Sequence, residues 1–345
     1  MERLPPRANF LRAKTLWEIG LHIAADPATR YGGNRDMCIV VGSGSGETFR
    51  PWLRLATGSP DLAYAVANGE IEMAFVNPSG LLTQAYRGTG LFPEPLPVRV
   101  VAVYPSWDRF VFAIHPRTGL TSLAELKDKQ YPLRLSIRED PTHSTRALID
   151  QTFAAYGLSL DDLLGWGGTL QLNGPPHDER RIAALRAGEI DAIFDEGLPA
   201  GWFEDALAAG MRPVTLDEEV FGQLEAIGWR KVVLPAGSIP GLTESHTCLD
   251  YSGWPLYTRA SLPEDDVYKV CGALFARADE IPWEEPAYTG IDQLGRDTEA
   301  TPIDVPLHPG AERWFADYAS GKRTERVDVP PPPESRPGQR AWLRR

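Results

Sequence analysis

Four short polar stretches carry side chains suited to gripping a small acid: GSGSGETFR at 42–50, NPSG at 77–80, REDPTHSTR at 138–146 and DEGLP at 195–199. Each follows an apolar run that reads as a strand, and the first and third lead into stretches that read as helices. Backbone N–H groups at a helix start, aided by the helix dipole, favour an anion. Gly44, Ser45 and Thr48 in one loop, and Ser144 and Thr145 in another, add amide and hydroxyl donors. Arg50 or Arg146 would supply a guanidinium able to hold a carboxylate bidentately. Asn77 and Ser79 occupy a corresponding strand end, while Asp195 and Glu196 could hold a ligand ammonium or hydroxyl or stand in solvent. His143 brings an imidazole that could donate to a carboxylate or act as acid or base near neutral pH.

The elements that must position these loops follow an α/β rhythm. Apolar runs at 38–44, 71–76, 98–104, 109–115, 133–137, 169–173, 190–194 and 212–216 read as strands. Helical patterns fall at 60–68, 121–128, 145–158, 178–189 and 201–210, with another stretch read as helix directly after 42–50. Such alternation predicts parallel α/β sheets. A repeat strengthens this: NGEIEMAFVNPSG at 68–80 and AGEIDAIFDEGLP at 187–199 share Gly-Glu-Ile, an acid, an apolar run with Phe and a polar turn. Each copy reads as the helix-to-strand unit of one lobe. If two such lobes face each other, the polar loops line one cleft, because ligands bind beyond the carboxyl ends of strands in open α/β sheets.

The expected organisation is an N-terminal helical extension over 1–36, a first lobe from 37–128 plus 246–321, a second lobe from 129–245, and a disordered Pro-rich tail over 322–345. HTCLDYSGWPLYTRA at 246–260 would carry the chain back to the first lobe, followed by a strong helix over 262–281.

Composition removes several function classes. With 35 basic and 47 acidic residues the formal charge is −12, and no basic patch stands out, which argues against nucleic acid as a partner. A local pocket can still be positive on an acidic protein. The three cysteines lack metal or disulfide spacing. Glu244, His246, Cys248 and Asp250 alternate along one strand face and match no metal spacing, so neither metal nor cofactor is expected. The glycine loop lacks the Lys-Ser/Thr of a P-loop and the dinucleotide fingerprint spacing, and no G-x-S-x-G elbow occurs. His308 in PLHPG reads as a turn imidazole bonded to backbone. Charged residues break up the first twenty positions, so the sequence as it begins predicts a cytoplasmic chain, or a periplasmic one if the true start lies upstream.

VGSGSGETF, DLAYAVANGEIEMAFV, DPTHSTRALIDQTFAAYGLSLDDL, RIAALRAGEIDAIFDEGLP, WPLYTRASLPEDDVYKVCGALFA and VPLHPGAERWFADY, in that order, resemble the TAXI group of solute-binding proteins. These serve TRAP transporters and have the type II periplasmic-binding-protein fold. The resemblance spans about 38–320 and is most specific in PEDDVYKVCGALF and PLHPGAERWF. It implies two α/β lobes closing on an organic acid or amino acid, contacts in 42–48, 77–79 and 142–145, and TRAP membrane subunits as partners if the chain is exported. Where the family usually has Gly-Ser-Gly-Thr, this chain has Thr142-His143-Ser144-Thr145, exchanging glycines for an imidazole. A carboxylate-binding protein is the leading expectation. A cytoplasmic decarboxylase-like enzyme on the same fold, using His143, Asp195 and Glu196, is the alternative. Phe49, Trp52, Trp107 and Trp254 are candidate pocket aromatics.

Overall fold

The computed structural model describes residues 16, 19–20, 37–43, 50–57 and 60–322. Most of the expected N-terminal helix and the tail from 323 onward lie outside the described residues. Strands β1 (Met37–Ser43) and β2 (Arg50–Thr57) form an antiparallel hairpin with Ser43 opposite Arg50. This corrects the helix expected after the glycine loop. The segment RPWLRLAT is extended because it pairs on both sides, with β1 and, in parallel, with β3 (Met73–Phe75).

Helix α1 (Leu62–Ala67) precedes β3, and α2 (Ser79–Arg87) and β4 (Val98–Tyr104) follow it. The chain then crosses to a second sheet through β5 (Arg109–Ile114), α3 (Ala124–Lys129), β6 (Arg134–Arg138), α4 (Ser144–Ala155), α5 (Leu160–Gly165) and β7 (Thr169–Asn173). It continues through α6 (Glu179–Ala187), β8 (Ala192–Asp195), α7 (Trp202–Ala208), β9 (Arg212–Pro213), α8 (Glu218–Ile227), β10 (Lys231–Leu234) and β11 (His246–Asp250). Strand β12 (Trp254–Arg259) returns to the first sheet, with α9 (Glu264–Ala276) and α10 (Pro309–Ala319) packed on it.

The first sheet has the order β1-β2-β3-β12-β4 and the second β10-β11-β5-β8-β6-β7, with β9 beside β5. This is a two-lobed α/β arrangement with one sheet in each lobe. The crossings fall at 105–108 and 251–253, so β5 and β11 belong to the second sheet. The sequence had set these boundaries at 128 and 246, because a strand's local pattern does not reveal which sheet receives it.

The repeat has a physical basis in strand register. Gly69 (φ 77°) and Gly188 (φ 69°) end a helix in the left-handed region that glycine enters freely. Three residues on, each copy places an acid beside an arginine of the neighbouring parallel strand. The Glu72 N–H donates to the Arg54 carbonyl (3.1 Å), and the Arg54 guanidinium donates to the Glu72 carboxylate at 2.7 Å. The Asp191 N–H donates to the Arg134 carbonyl (2.7 Å), and the Arg134 guanidinium donates to the Asp191 carboxylate at 2.7 Å. A slip by one residue would break both bonds and reverse the strand's faces.

One apolar core joins the sheets. Leu81 and Leu82 of α2, Leu148 and Ile149 of α4, Phe221 and Leu224 of α8, and Trp229 pack in a single buried cluster with strand residues Val100, Phe112, Leu135 and Phe194. Each such side chain contributes ~1.5–3 kcal/mol of burial. Among the described residues, no helix is long and apolar enough to cross a membrane.

His246 on β11 is buried, with Nδ1 beside Thr215 Oγ1 at 3.2 Å. Burial lowers its pKa from 6.5 to about 4. The folded state therefore binds fewer protons than the unfolded chain, and this group's stabilisation is present above pH 6.5 and lost as pH falls through about 4. Denaturant titrations should show the native protein losing about 2–3 kcal/mol more between neutral pH and the lower value than His246→Gln does. Equal losses in the two proteins would assign the acid sensitivity to other groups.

Candidate functional site

The crossing segment 251–253 touches helix starts from both lobes. In the first lobe, Ser79 opens α2 after Asn77-Pro78. Its N–H donates to the Ser252 carbonyl (3.3 Å) and its hydroxyl to the Gly253 carbonyl (3.3 Å). In the second, Ser144 opens α4 and its Oγ hydrogen-bonds the Tyr251 hydroxyl. Tyr251 is stacked with Trp229, ring centroids 6.3 Å apart at 10°. Trp229 lies against Gly80, where any Cβ would come within 2.8 Å of the indole, so only glycine admits this approach. Ser79 and Ser144 thus meet at the crossing segment 251–253, beside the Tyr251–Trp229 pair.

His143 has a structural task at this junction. It is the N-cap of α4, and its Nδ1 accepts from the Thr145 N–H at 3.1 Å. Its backbone carbonyl accepts from Arg146 (2.9 Å). The imidazole replaces the usual Ser or Asp acceptor at a cap. His308 caps α10 in the same way, accepting from Gly310 N–H at 3.2 Å, in agreement with its reading as a backbone-bonded imidazole.

Asp195 and Glu196 are neither solvated nor facing an open cleft. Asp195 is fully buried at the end of β8; it accepts from Arg138 Nε at 2.9 Å and from Arg181 Nη1. Burial raises its pKa, but the charges of Arg138 and Arg181 more than reverse this and hold it below the ordinary value. Glu196 accepts from Arg138 Nη2. Burial nevertheless lifts the Glu196 pKa against the pull of Arg138. Asp108, just before β5, is raised much further by burial and then by the Glu196 charge and a hydrogen bond to it. Its oxygens accept from the N–H groups of Arg109 (2.7 Å), Gly197 (2.8 Å) and Leu198 (3.1 Å), which pull the other way. The guanidiniums of Arg138 and Arg181 thus face the carboxylates of Asp195 and Glu196, with Asp108 beside Glu196.

Arg109 extends this network to both crossings. Its Nη1 donates to Asp250 (2.8 Å), the Asp108 carbonyl (2.8 Å) and Ser252 Oγ (2.6 Å), and its Nη2 to Glu299 of the first lobe. Trp107 lies 4.7 Å from the Arg109 guanidinium and donates to Glu299 at 2.9 Å, so this aromatic serves the crossing. Trp254 sits elsewhere on the first sheet, stacked on Tyr104. Gly44, Ser45, Thr48 and Phe49 lie outside the described residues, as does the Trp52 side chain. The hairpin between β1 and β2 removes the helix start that their anion-binding role relied on.

Beside the junction lies an open groove of about 560 Å³. Arg87, Asp297 and Asp304 line it from the first lobe, Trp229 and Arg230 from the second, and Asp250 from the crossing strand. Arg230 spans it, donating to Asp304 (2.8 Å) and Asp297 (3.0 Å). Among the described residues no group of three or more His, Cys, Asp or Glu side chains is placed to hold a metal ion.

Arg138, Arg181, Asp108, Tyr251 and Trp229 were missing from the sequence-based site. Arg138 was within reach, as the first residue of the polar loop REDPTHSTR. Arg181 and Asp108 carried no local signal, since their roles arise only when β5, β6 and β8 are neighbours.

Residues 54–317 match the model of the NMT1-like family. Among solved structures, the alkanesulfonate-binding protein SsuA from Xanthomonas axonopodis pv. citri bound to MOPS is 21% identical, over 75% of this chain and 70% of that one, with a TM-score of 0.31. Lactococcal OpuAC in its closed-liganded conformation with glycine betaine is 12% identical over 76% and 82%, with a TM-score of 0.36.

Removing one member of the buried charge cluster should be severe. Arg138→Met leaves Glu196 without its cation and is expected to cost roughly 3–5 kcal/mol in urea denaturation. Adding Glu196→Gln should restore a good part of that loss. A double variant no more stable than Arg138→Met would mean that packing, not charge balance, sets the effect.

Proposed function

Because the chain belongs to the NMT1-like family, we propose that it is a solute-binding protein whose two lobes close on a small organic acid or amino acid. In the finer assignment it is of the TAXI type and, where exported, hands its ligand to TRAP membrane subunits. The observation that carries this reading is the meeting of two helix starts, Ser79 from one lobe and Ser144 from the other, at one crossing segment, 251–253. A helix start favours a ligand's negative group, and donors from both lobes give it more contacts when they close than when they part. An open groove lined by Trp229 and Asp250 lies next to this junction. Closure by rigid lobes about two crossings is the matching motion.

The enzyme alternative has less support. His143 is occupied as a cap, and Asp195 is held by two arginines, so neither is poised to move a substrate proton.

A thermal-shift screen against organic acids, aromatic acids and amino acids tests the proposal. A ligand at about 100 times its dissociation constant should add ~2.7 kcal/mol of stability and be recovered unchanged by mass spectrometry. Ser144→Ala should weaken that ligand roughly tenfold, since a hydrogen bond to a charged group is worth ~1.5–3 kcal/mol. No response to any acid would end the acid-binding reading, and consumption of the ligand would replace binding by catalysis.

A further inference from the structure

One face of α2 is given over to the other lobe. Gly80, Thr83, Gln84 and Arg87 recur at i, i+3, i+4 and i+7, the spacing of a single helical stripe. Gly80 lies under the Trp229 indole, and the turn before Trp229 comes so close that a Cβ on Gly228 would stand 3.1 Å from the Gln84 backbone nitrogen. Gly228 has φ 124°, a conformation that glycine adopts freely. The Arg87 guanidinium donates to the Glu225 carbonyl (3.2 Å), and the Thr89 hydroxyl to the Ile227 carbonyl (2.6 Å). First-lobe donors thus serve the last carbonyls of α8, which a helix end leaves without partners of its own.

At the centre of the stripe, two side-chain amides from opposite lobes pair reciprocally. Gln84 Nε2 donates to Gln151 Oε1 of α4 (3.1 Å), and Gln151 Nε2 donates back to Gln84 Oε1 (3.0 Å). Each oxygen accepts once more, Gln151 from the Trp229 indole (2.7 Å) and Gln84 from the Leu91 N–H (3.2 Å). Gln84 is fully buried, where an unpaired amide would be costly. A second contact between the lobes is ionic, from Arg230 to Asp304 and Asp297. All three of those side chains keep contact with solvent, so water and salt leave the ion pairs weak. The neutral seam outweighs them, because the apolar core runs through it from Leu82 to Leu224.

We propose that the two lobes rest joined, sealed along α2 by the chain's own groups, and that the junction at 251–253 is reached only from a minor, parted population. Every bond of the seam runs between groups of this chain, so the joined arrangement needs no ligand to complete it. Parting the lobes would undo the amide pair and bare apolar side chains together. The equilibrium therefore lies between two arrangements rather than along a continuum. The consequence for binding rests on the solute-binding reading above. A ligand's association rate would scale with the parted fraction and level off, at high ligand concentration, at the rate of parting.

Spin-label distance measurements on the full chain test this with no acid added. The exposed Asp161 of the second lobe and Glu312 of the first, changed by Asp161→Cys and Glu312→Cys, carry the labels, and Cys38→Ser removes the exposed native thiol. The otherwise native chain should give one narrow distance, the same at low and high salt. Gly80→Ala should add a longer one, because its methyl group would stand 2.8 Å from the Trp229 indole and wedge the seam, while alanine suits the helix itself. Gln151→Ala should enrich the same longer population roughly tenfold, the worth of one or two net hydrogen bonds. Arg230→Gln should leave the distribution unchanged. Circular dichroism checks that each variant is folded. A native distribution dominated by the longer distance would overturn the proposal, as would one that Gly80→Ala and Gln151→Ala both leave unaltered. Parting in salt or in Arg230→Gln would also overturn it, by giving the hold to the ion pairs. Because these readouts involve no ligand, their failure is distinct from failure of the thermal-shift screen.

Discussion

Two guanidiniums and two carboxylates are buried together at the carboxyl ends of β6 and β8, and much of the second lobe is arranged to make that tolerable. An isolated charge in this setting would cost several kcal/mol, so each must be paired. Arg138 therefore donates to Asp195, Glu196 and the Gly174 carbonyl (2.6 Å), and Arg181 to Asp195, the Pro176 carbonyl (2.9 Å) and Ser136 Oγ (2.9 Å). Trp202 closes the cluster by donating to the Glu196 carbonyl at 2.6 Å. These bonds fix β6, β8, the loop before α6 and the first residue of α7 relative to one another. Strand ends where ligands bind in other open α/β sheets are here held by the chain's own ions.

The two copies of the repeat show how one unit serves two ends. Both keep the glycine and the acid that pins a parallel strand pair, so Glu72 and Asp191 have equivalent partners in Arg54 and Arg134. The copies part after the strand. Val76 and Asn77 of the first correspond to Asp195 and Glu196 of the second. The first lobe thereby presents neutral groups and a helix start at the junction, whereas the second invests its equivalent positions in the charge cluster. Shared residues govern folding, and the divergent ones govern what each lobe offers to a ligand.

This division explains what could be read in advance. Strand and helix existence was legible wherever apolar periodicity met a glycine or cap, as in β7, which falls on the expected 169–173, and α4, which starts one residue before the expected 145. The return to the first lobe through 246–260 was legible too, because its two extended runs are separated only by Tyr251-Ser252-Gly253. Less legible was the identity of neighbours. The segment RPWLRLAT has apolar residues compatible with either period, and only pairing with β1 and β3 makes it a strand. The Leu-Arg-Leu shared by 53–55 and 133–135 was the available sign that β2 and β6 are counterparts. The site failed in the same way. Ser79 and Ser144 announce helix starts locally, but whether Asp195 meets water or Arg181 depends on side chains from three separate elements.

Charge balance also bears on the proposed ligand. Arg138 is already matched, so a purely anionic ligand at the start of α4 would add negative charge beside Glu196, whose raised pKa already records the difficulty of ionising there. Coulomb repulsion at this range is poorly screened in a buried site. An acid that brings its own positive group carries no net charge and so lessens this repulsion without reaching the buried Glu196. On this ledger the proposed binding function favours an amino acid over a dicarboxylate as the ligand to test first.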